Sequence, residues 1–171
     1  MPTTYEPIAT TTLGSDTATV SFSSISGSYT DLVAVVGNIS ATVGNTMYCR
    51  VGNSSVDTGS NYSYTEIFGN GSGASSTRAS NTSNGLLCGD TTVGMPTGTS
   101  YATLIFNIQN YSNTTTYKTA ISRYSSPSTV VQATAALWRS TSAINVIEFR
   151  IAPSGSFKSG STFTLYGIKS A

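Results

Sequence analysis

The stretch Ile147-Glu148-Phe149-Arg150-Ile151 alternates apolar and charged side chains. Because successive side chains of a β-strand point to opposite faces, this pattern places the apolar residues on one face and both charges on the other. The same alternation recurs along the chain, and its apolar sets are Ala18, Val20 and Phe22; Met47, Cys49 and Val51; Ala102, Leu104, Phe106 and Ile108; Val131, Ala133, Ala135 and Leu137; Phe163 and Leu165. We predict that these sets face a buried core.

The rest of the chain supports an all-β fold. The continuous apolar run Leu32–Val36 is typical of a strand covered on both faces. Clusters of Gly, Pro, Ser and Asn separate the apolar segments and predict turns between about nine or ten short strands, the pattern of an antiparallel sandwich or barrel. No shift in composition divides the chain, so we predict one domain over residues 9–171, preceded by an N-terminal arm over residues 1–8.

The composition excludes several classes of function. Ser and Thr make up 57 of the 171 residues, charged residues only 9%, and histidine is absent. Catalysis by histidine and metal sites with histidine ligands are therefore excluded, and a net charge of +1 argues against nucleic-acid binding. No catalytic motif is present, and nothing in the sequence brings Glu66 and Glu148 together as a carboxylate pair. We predict a protein that is not an enzyme and has no cofactor.

Two further features of the sequence concern export and the cysteines. Met1–Glu6 shows no basic region followed by an apolar stretch, so we expect no signal peptide. Cys49 and Cys88 fit two small buried residues better than a disulfide framework, although a single disulfide between them stays possible.

Two polar segments have alternative interpretations. Asp57–Tyr64 has the Asp, Asn and Gly of a Ca²⁺-binding loop, but such residues more often cap a turn with their own side chains. Gly69–Asn84 is rich in Gly, Ser and Asn, which predicts a flexible loop or a loop that becomes ordered against a partner.

The aromatic residues are the candidate contacts for a partner or a glycan. A sugar-binding platform needs exposed rings, whereas aromatic residues of a sandwich more often lie in the core or at a subunit interface. The candidate contact residues are Tyr62, Tyr64, Tyr111 and Trp138.

Several short motifs follow one another along the chain: Tyr5–Gly14, Val20–Ile25, Tyr29–Leu32, Asp57–Ser63, Ile108–Tyr111, Lys118–Thr119, Leu137–Ser140 and Gly160–Ile168. Their order resembles that of a widespread group of tailed-bacteriophage virion proteins. The resemblance runs nearly end to end. It implies a jelly-roll-like β-sandwich that serves as a capsid decoration (cement) protein or as a tail-fibre module, with no catalytic residues to carry over.

From this resemblance we expect a decoration protein on the outside of the phage head, where it binds the major capsid protein and stabilises the shell. One alternative is a tail-fibre or receptor-binding module that recognises a glycan on the host surface. The other is a secreted carbohydrate-binding module. Under the first expectation the protein is part of the virion and is exposed on the particle surface, and Glu66→Gln and Glu148→Gln leave its assembly intact.

A homotrimer is the expected oligomeric state. Virion proteins of this type often meet at threefold axes, and several strands carry apolar residues on a second face. The predicted second-face residues are Tyr101, Ile105, Ile121, Val130 and Ala136. With so few charges, such faces mark an interaction surface, and the N-terminal arm is a candidate clasp onto a neighbour or the shell.

Overall fold

The computed structural model describes residues 4–89, 91, 94–127 and 130–169, and within them the chain forms 13 β-strands and no helix. The strands are β1 (Tyr5–Thr12), β2 (Thr19–Phe22), β3 (Asp31–Ile39), β4 (Thr46–Asn53), β5 (Ser55–Val56), β6 (Tyr62–Gly69), β7 (Ala74–Thr82), β8 (Leu86–Leu87), β9 (Ala102–Gln109), β10 (Lys118–Ser126), β11 (Val130–Trp138), β12 (Val146–Ala152) and β13 (Thr162–Ile168). The predicted antiparallel β-sandwich is confirmed. Its strand count exceeds nine or ten partly because β5 and β8 are too short to show alternation.

The strands form two antiparallel sheets. The large sheet has eight strands in the order β1-β13-β3-β9-β10-β11-β6-β7. The small sheet has the order β2-β12-β4-β5, with β8 paired to β4. Strand β13 therefore lies between β1 and β3, and β7 forms the far edge of the large sheet.

Phenylalanine rings join the two sheets through the core. The ring of Phe106 on β9 meets that of Phe149 on β12 edge to face, with centroids 6.1 Å apart. Phe163 on β13 lies 5.6 Å from Phe149 and 5.0 Å from Phe157. All four side chains are buried, in one core cluster that takes residues from both sheets.

The predicted core faces of β2, β4, β9, β12 and β13 are confirmed. Each of these strands turns its predicted apolar residues inward. Ala18 is the exception, since it lies in the bend before β2 begins and is exposed. In β3 the run Leu32–Val36 is buried except for Val35, which is 40% exposed on the outer face of the large sheet.

The predicted face of β11 is wrong. The structure buries Val130, Ala136 and Trp138, and turns Val131 and Ala135 outward. Because the side chains of a strand alternate between its two faces, a prediction of the wrong face exchanges the buried and exposed residues along the whole strand. The large Trp138 ring settles the choice, since it is 2% exposed and lies opposite the buried Tyr62 of β6. Val130 and Ala136 therefore do not belong to a second exposed face.

The predicted loop Gly69–Asn84 is mostly a strand. Its residues 74–82 form β7, which pairs with β6 along almost its whole length. This edge strand leaves most of its side chains exposed on both faces, so it needs no apolar alternation. Its backbone hydrogen bonds to β6 hold a polar sequence in the sheet.

Part of the predicted N-terminal arm also belongs to the sheet. Tyr5–Ile8 are the first residues of β1, and Tyr5 pairs with Ile168 of β13. The backbone N–H of Lys169 donates to the carbonyl of Thr4 at 3.0 Å. Because residues 5–8 are part of β1, a clasp made by them is not supported; residues 1–3 of the arm lie outside the described residues.

Cys49 and Cys88 are free thiols buried in the core. The Cys88 thiol contacts the carbonyl of Leu86 at 3.5 Å. Burial, together with the neighbouring Cys49, raises the pKa of the Cys88 thiol well above its ordinary value. Both cysteines therefore act as small core residues, as the first of the two interpretations predicts.

We expect Phe149→Ala to lower the free energy of unfolding by about 3–5 kcal/mol, since it removes the ring that joins the sheets and leaves a cavity. Val131→Ala is the matched control, because Val131 is 65% exposed. Its effect should stay within about 0.5 kcal/mol. Urea unfolding followed by tryptophan fluorescence measures both. Equal effects of the two variants would contradict this description of the core.

Candidate interaction surface

The structure places three of the four candidate contact residues inside the protein. Tyr62 and Tyr111 are fully buried and Trp138 is 2% exposed. The hydroxyl of Tyr62 donates to the carbonyl of Asp57 at 2.8 Å, and that of Tyr111 donates to the carbonyl of Ser26. These rings offer no face to a sugar from solvent, so the glycan platform drawn from them is not supported.

Tyr64, the fourth candidate, is half-buried and lies beside Tyr48, with ring centroids 6.4 Å apart. Burial raises the pKa of the Tyr64 hydroxyl, and the neighbouring Tyr48 raises it further. A single half-buried ring is a contact residue at most, and does not make a platform.

Asp57 ties a surface turn to the buried Trp138. Its carboxylate accepts hydrogen bonds from Trp138 Nε1 at 2.7 Å, Asn61 Nδ2 at 2.8 Å and the backbone N–H of Gly59 at 2.7 Å. Burial opposes ionisation of this carboxyl, but the hydrogen bonds outweigh it and hold its pKa below the ordinary value. The segment thus has the geometry of a capped turn. No group of three or more potential metal ligands occurs within the described residues.

Two arginines fix loops at the same end of β6. Arg139 donates to the carbonyl of Ser60 at 3.0 Å and to Asn81 Oδ1 at 2.8 Å. Arg50 donates to the carbonyl of Ser83 at 2.8 Å. Both guanidinium groups therefore have structural partners and are not open to a ligand.

Buried polar side chains lie on the inner face of β6 and β11. Glu66 is 1% exposed, and it accepts a hydrogen bond from the hydroxyl of Thr91. The sequence had not predicted whether this side chain would be buried or exposed. Gln132 Nε2 donates to Thr134 Oγ1 at 2.7 Å. Glu148 and Arg150 lie on the outer face of the small sheet, as predicted.

The outer face of the large sheet carries most of the exposed large apolar side chains of the described residues. Cross-strand pairs hold them together: Val35 lies opposite Ile105, Ile121 opposite Ala135, and Ala133 opposite Ile67. The most exposed are Val131 at 65%, Ile67 at 62%, Tyr5 at 57%, Ile121 at 49%, Tyr101 at 49% and Val35 at 40%. The second face predicted from Tyr101, Ile105 and Ile121 therefore exists. Ile67 and Val131 were missed, the latter because β11 was given the wrong face.

A groove follows β11 on this outer face. It consists of two adjoining cavities of about 800 and 940 Å³ between β10 on one side and the β6–β7 hairpin on the other. Arg78 and Arg123 are the charged residues of its lining, which contains no Asp or Glu. We define these two cavities as the β11 groove. Because its lining is mainly apolar and carries two arginines, the β11 groove is the candidate site of this face.

No protein-family model matches the chain, and no curated protein matches it. No helix among the described residues is long and apolar enough to cross a membrane.

We expect Asp57→Asn to lower the free energy of unfolding by about 1–3 kcal/mol at neutral pH, because a charged acceptor of three hydrogen bonds is lost. The folded-state pKa of Asp57 is lowered, so its stabilisation is present above the unfolded value near 3.8 and is lost as the pH falls through the folded value. The difference between wild type and variant should therefore narrow below about pH 4.

Urea unfolding from pH 3 to pH 7 measures this difference. The matched control is Glu148→Gln, which removes one carboxylate from the outer face of the small sheet. A difference between wild type and Asp57→Asn that stays constant over this range would show that the Asp57 charge does not hold the turn.

Proposed function

We propose that the protein is a structural component of a tailed-bacteriophage virion, a decoration protein that binds the outside of the head shell. The observation that carries the proposal is the exposed apolar face of the large sheet. Apolar surface of this extent marks an interaction site, and only 9% of residues are charged to oppose association. The resemblance of the motif order to phage virion proteins supports the same function.

The proposed mechanism is stabilisation by mass action. A protein that binds the assembled major capsid protein and not its free subunits raises the free energy of shell disassembly. A rigid β-sandwich suits this role, since it presents a fixed face. Its surface hydroxyl groups provide solubility and hydrogen bonds without the cost of removing charges from water.

We also propose a homotrimer, built on the part of the outer face that β3 and β9 provide. Val35 and Ile105 lie side by side there, and Tyr101 precedes β9. This leaves the β11 groove for the shell. A glycan-binding tail-fibre module or a secreted carbohydrate-binding module has less support, because Tyr62, Tyr111 and Trp138 are buried.

A decoration protein should be present on purified particles in a copy number comparable with that of the major capsid protein. A tail-fibre protein should be far less abundant, since a particle carries few fibres. Stained gels of purified virions measure the ratio of the two bands. A ratio far below that of a shell component would contradict the decoration function.

The isolated protein should sediment as three chains of 17.7 kDa. Ile105→Asp should dissociate it, because a carboxylate at the centre of an apolar contact loses water without gaining a partner. Ser21→Asp is the control, as Ser21 is exposed on the small sheet. Sedimentation equilibrium measures all three proteins, and a wild-type monomer at high concentration would rule out the trimer.

A further inference from the structure

The shape of the β11 groove follows from small side chains at the centre of β11. Its outward residues there are Ala133 and Ala135, which form a low floor. Ile121 of β10 lies opposite Ala135, and Ile67 of β6 lies opposite Ala133. The larger neighbours on each side make the floor the bottom of an apolar channel.

The size of the groove fits an extended peptide. Its two cavities follow β11 from Leu137 to Val131. At about 3.3 Å per residue, these positions span roughly 20 Å. A segment of similar length in β conformation can lie along the channel with every second side chain on the alanine floor.

The charges of the groove select an acidic occupant. Arg123 on β10 and Arg78 on β7 stand on opposite sides of the groove, separated by three strand spacings, or about 14 Å across the sheet, and by two residues along it. Both are exposed, and within the described residues neither guanidinium has a hydrogen-bond or ion-pair partner. Arg50 and Arg139, by contrast, are engaged by loop carbonyls. Guanidinium groups without partners, in a lining that contains no Asp or Glu, can form charge-assisted hydrogen bonds with the carboxylates of a bound segment.

We propose that the β11 groove binds an extended segment of a partner protein in which apolar and acidic residues alternate. The proposal rests on the proposed function, under which the segment belongs to the major capsid protein. A second copy of this chain fits less well, because two such grooves face to face would bring together four arginines and no carboxylate.

The test uses an end-capped fluorescent peptide that alternates Val and Glu over about eight residues. Fluorescence anisotropy measures its binding to the full-length protein at low and high salt. Arg78→Gln and Arg123→Gln should each weaken binding about fivefold, as expected for exposed charge pairs. Ala135→Leu should weaken it as well by filling the floor without a change in charge.

The control variants and peptides distinguish binding in the β11 groove from a general effect of charge. Lys158→Gln removes a positive charge that does not line the groove and should leave binding unchanged. Urea unfolding of each variant shows that the fold is kept. A peptide with Lys in place of Glu should not bind, and polyglutamate of equal length should bind more weakly because it lacks the apolar side chains.

Any of four results would overturn the proposal: no binding of the Val–Glu peptide, equal binding of polyglutamate, equal binding by the arginine variants, or tighter binding of heparin, which would assign the groove to a sulfated glycan. The peptide experiments and the copy-number measurement test the groove and the proposed function separately. A low copy number on virions with normal peptide binding contradicts the decoration function alone, whereas shell-level abundance without peptide binding contradicts the groove alone.

Discussion

The structure depends on one constraint: each sheet must bury its inner face against the other. The contact between Phe106 and Phe149 lies where the two faces meet. With a period of two, this burial also decides which residues face outward. The exposed apolar surface is thus a product of the same alternation as the core. Where a strand is apolar on both faces, as β3 and β11 are in part, burial of one face leaves the other exposed.

The polar side chains near the core are held in position by hydrogen bonds to specific partners. The Asp57 carboxylate is kept ionised by donors from Trp138, Asn61 and Gly59, so a charge close to the core fixes the position of the buried indole. Arg139 acts in the same way on the loops around β6. Arg50 and Arg139 hold loops of the fold, whereas Arg78 and Arg123 line the β11 groove.

Strands with one apolar face could be predicted from sequence, as β9 and β12 were. The face of β11 could not, because Val131 and Leu137 are as apolar as Val130 and Ala136, and only pairing with β6 distinguishes them. Strand β7 gave no apolar signal, since an edge strand exposed on both faces is held by backbone hydrogen bonds alone.

The candidate site was predictable only in part, for similar reasons. Ile105 and Ile121 stood out because they lie opposite clear core sets. Arg78 gave no signal, since the residues around it predicted a loop. The sequence favoured a core or interface position for the aromatic residues but did not decide the environment of each ring, and the structure buries Tyr62 and Tyr111.

The position of β13 between β1 and β3 has a consequence for the order of folding. Tyr5 of β1 pairs with Ile168 of β13, 163 positions later in the chain, and β3 pairs with β13 as well. Pairings this distant in sequence make folding slow, because a long loop must close before they form. During synthesis β1 and β3 therefore lack this partner until β13 emerges. A chain that ended before Thr162 would keep the exposed edge of β3, an open template for aggregation.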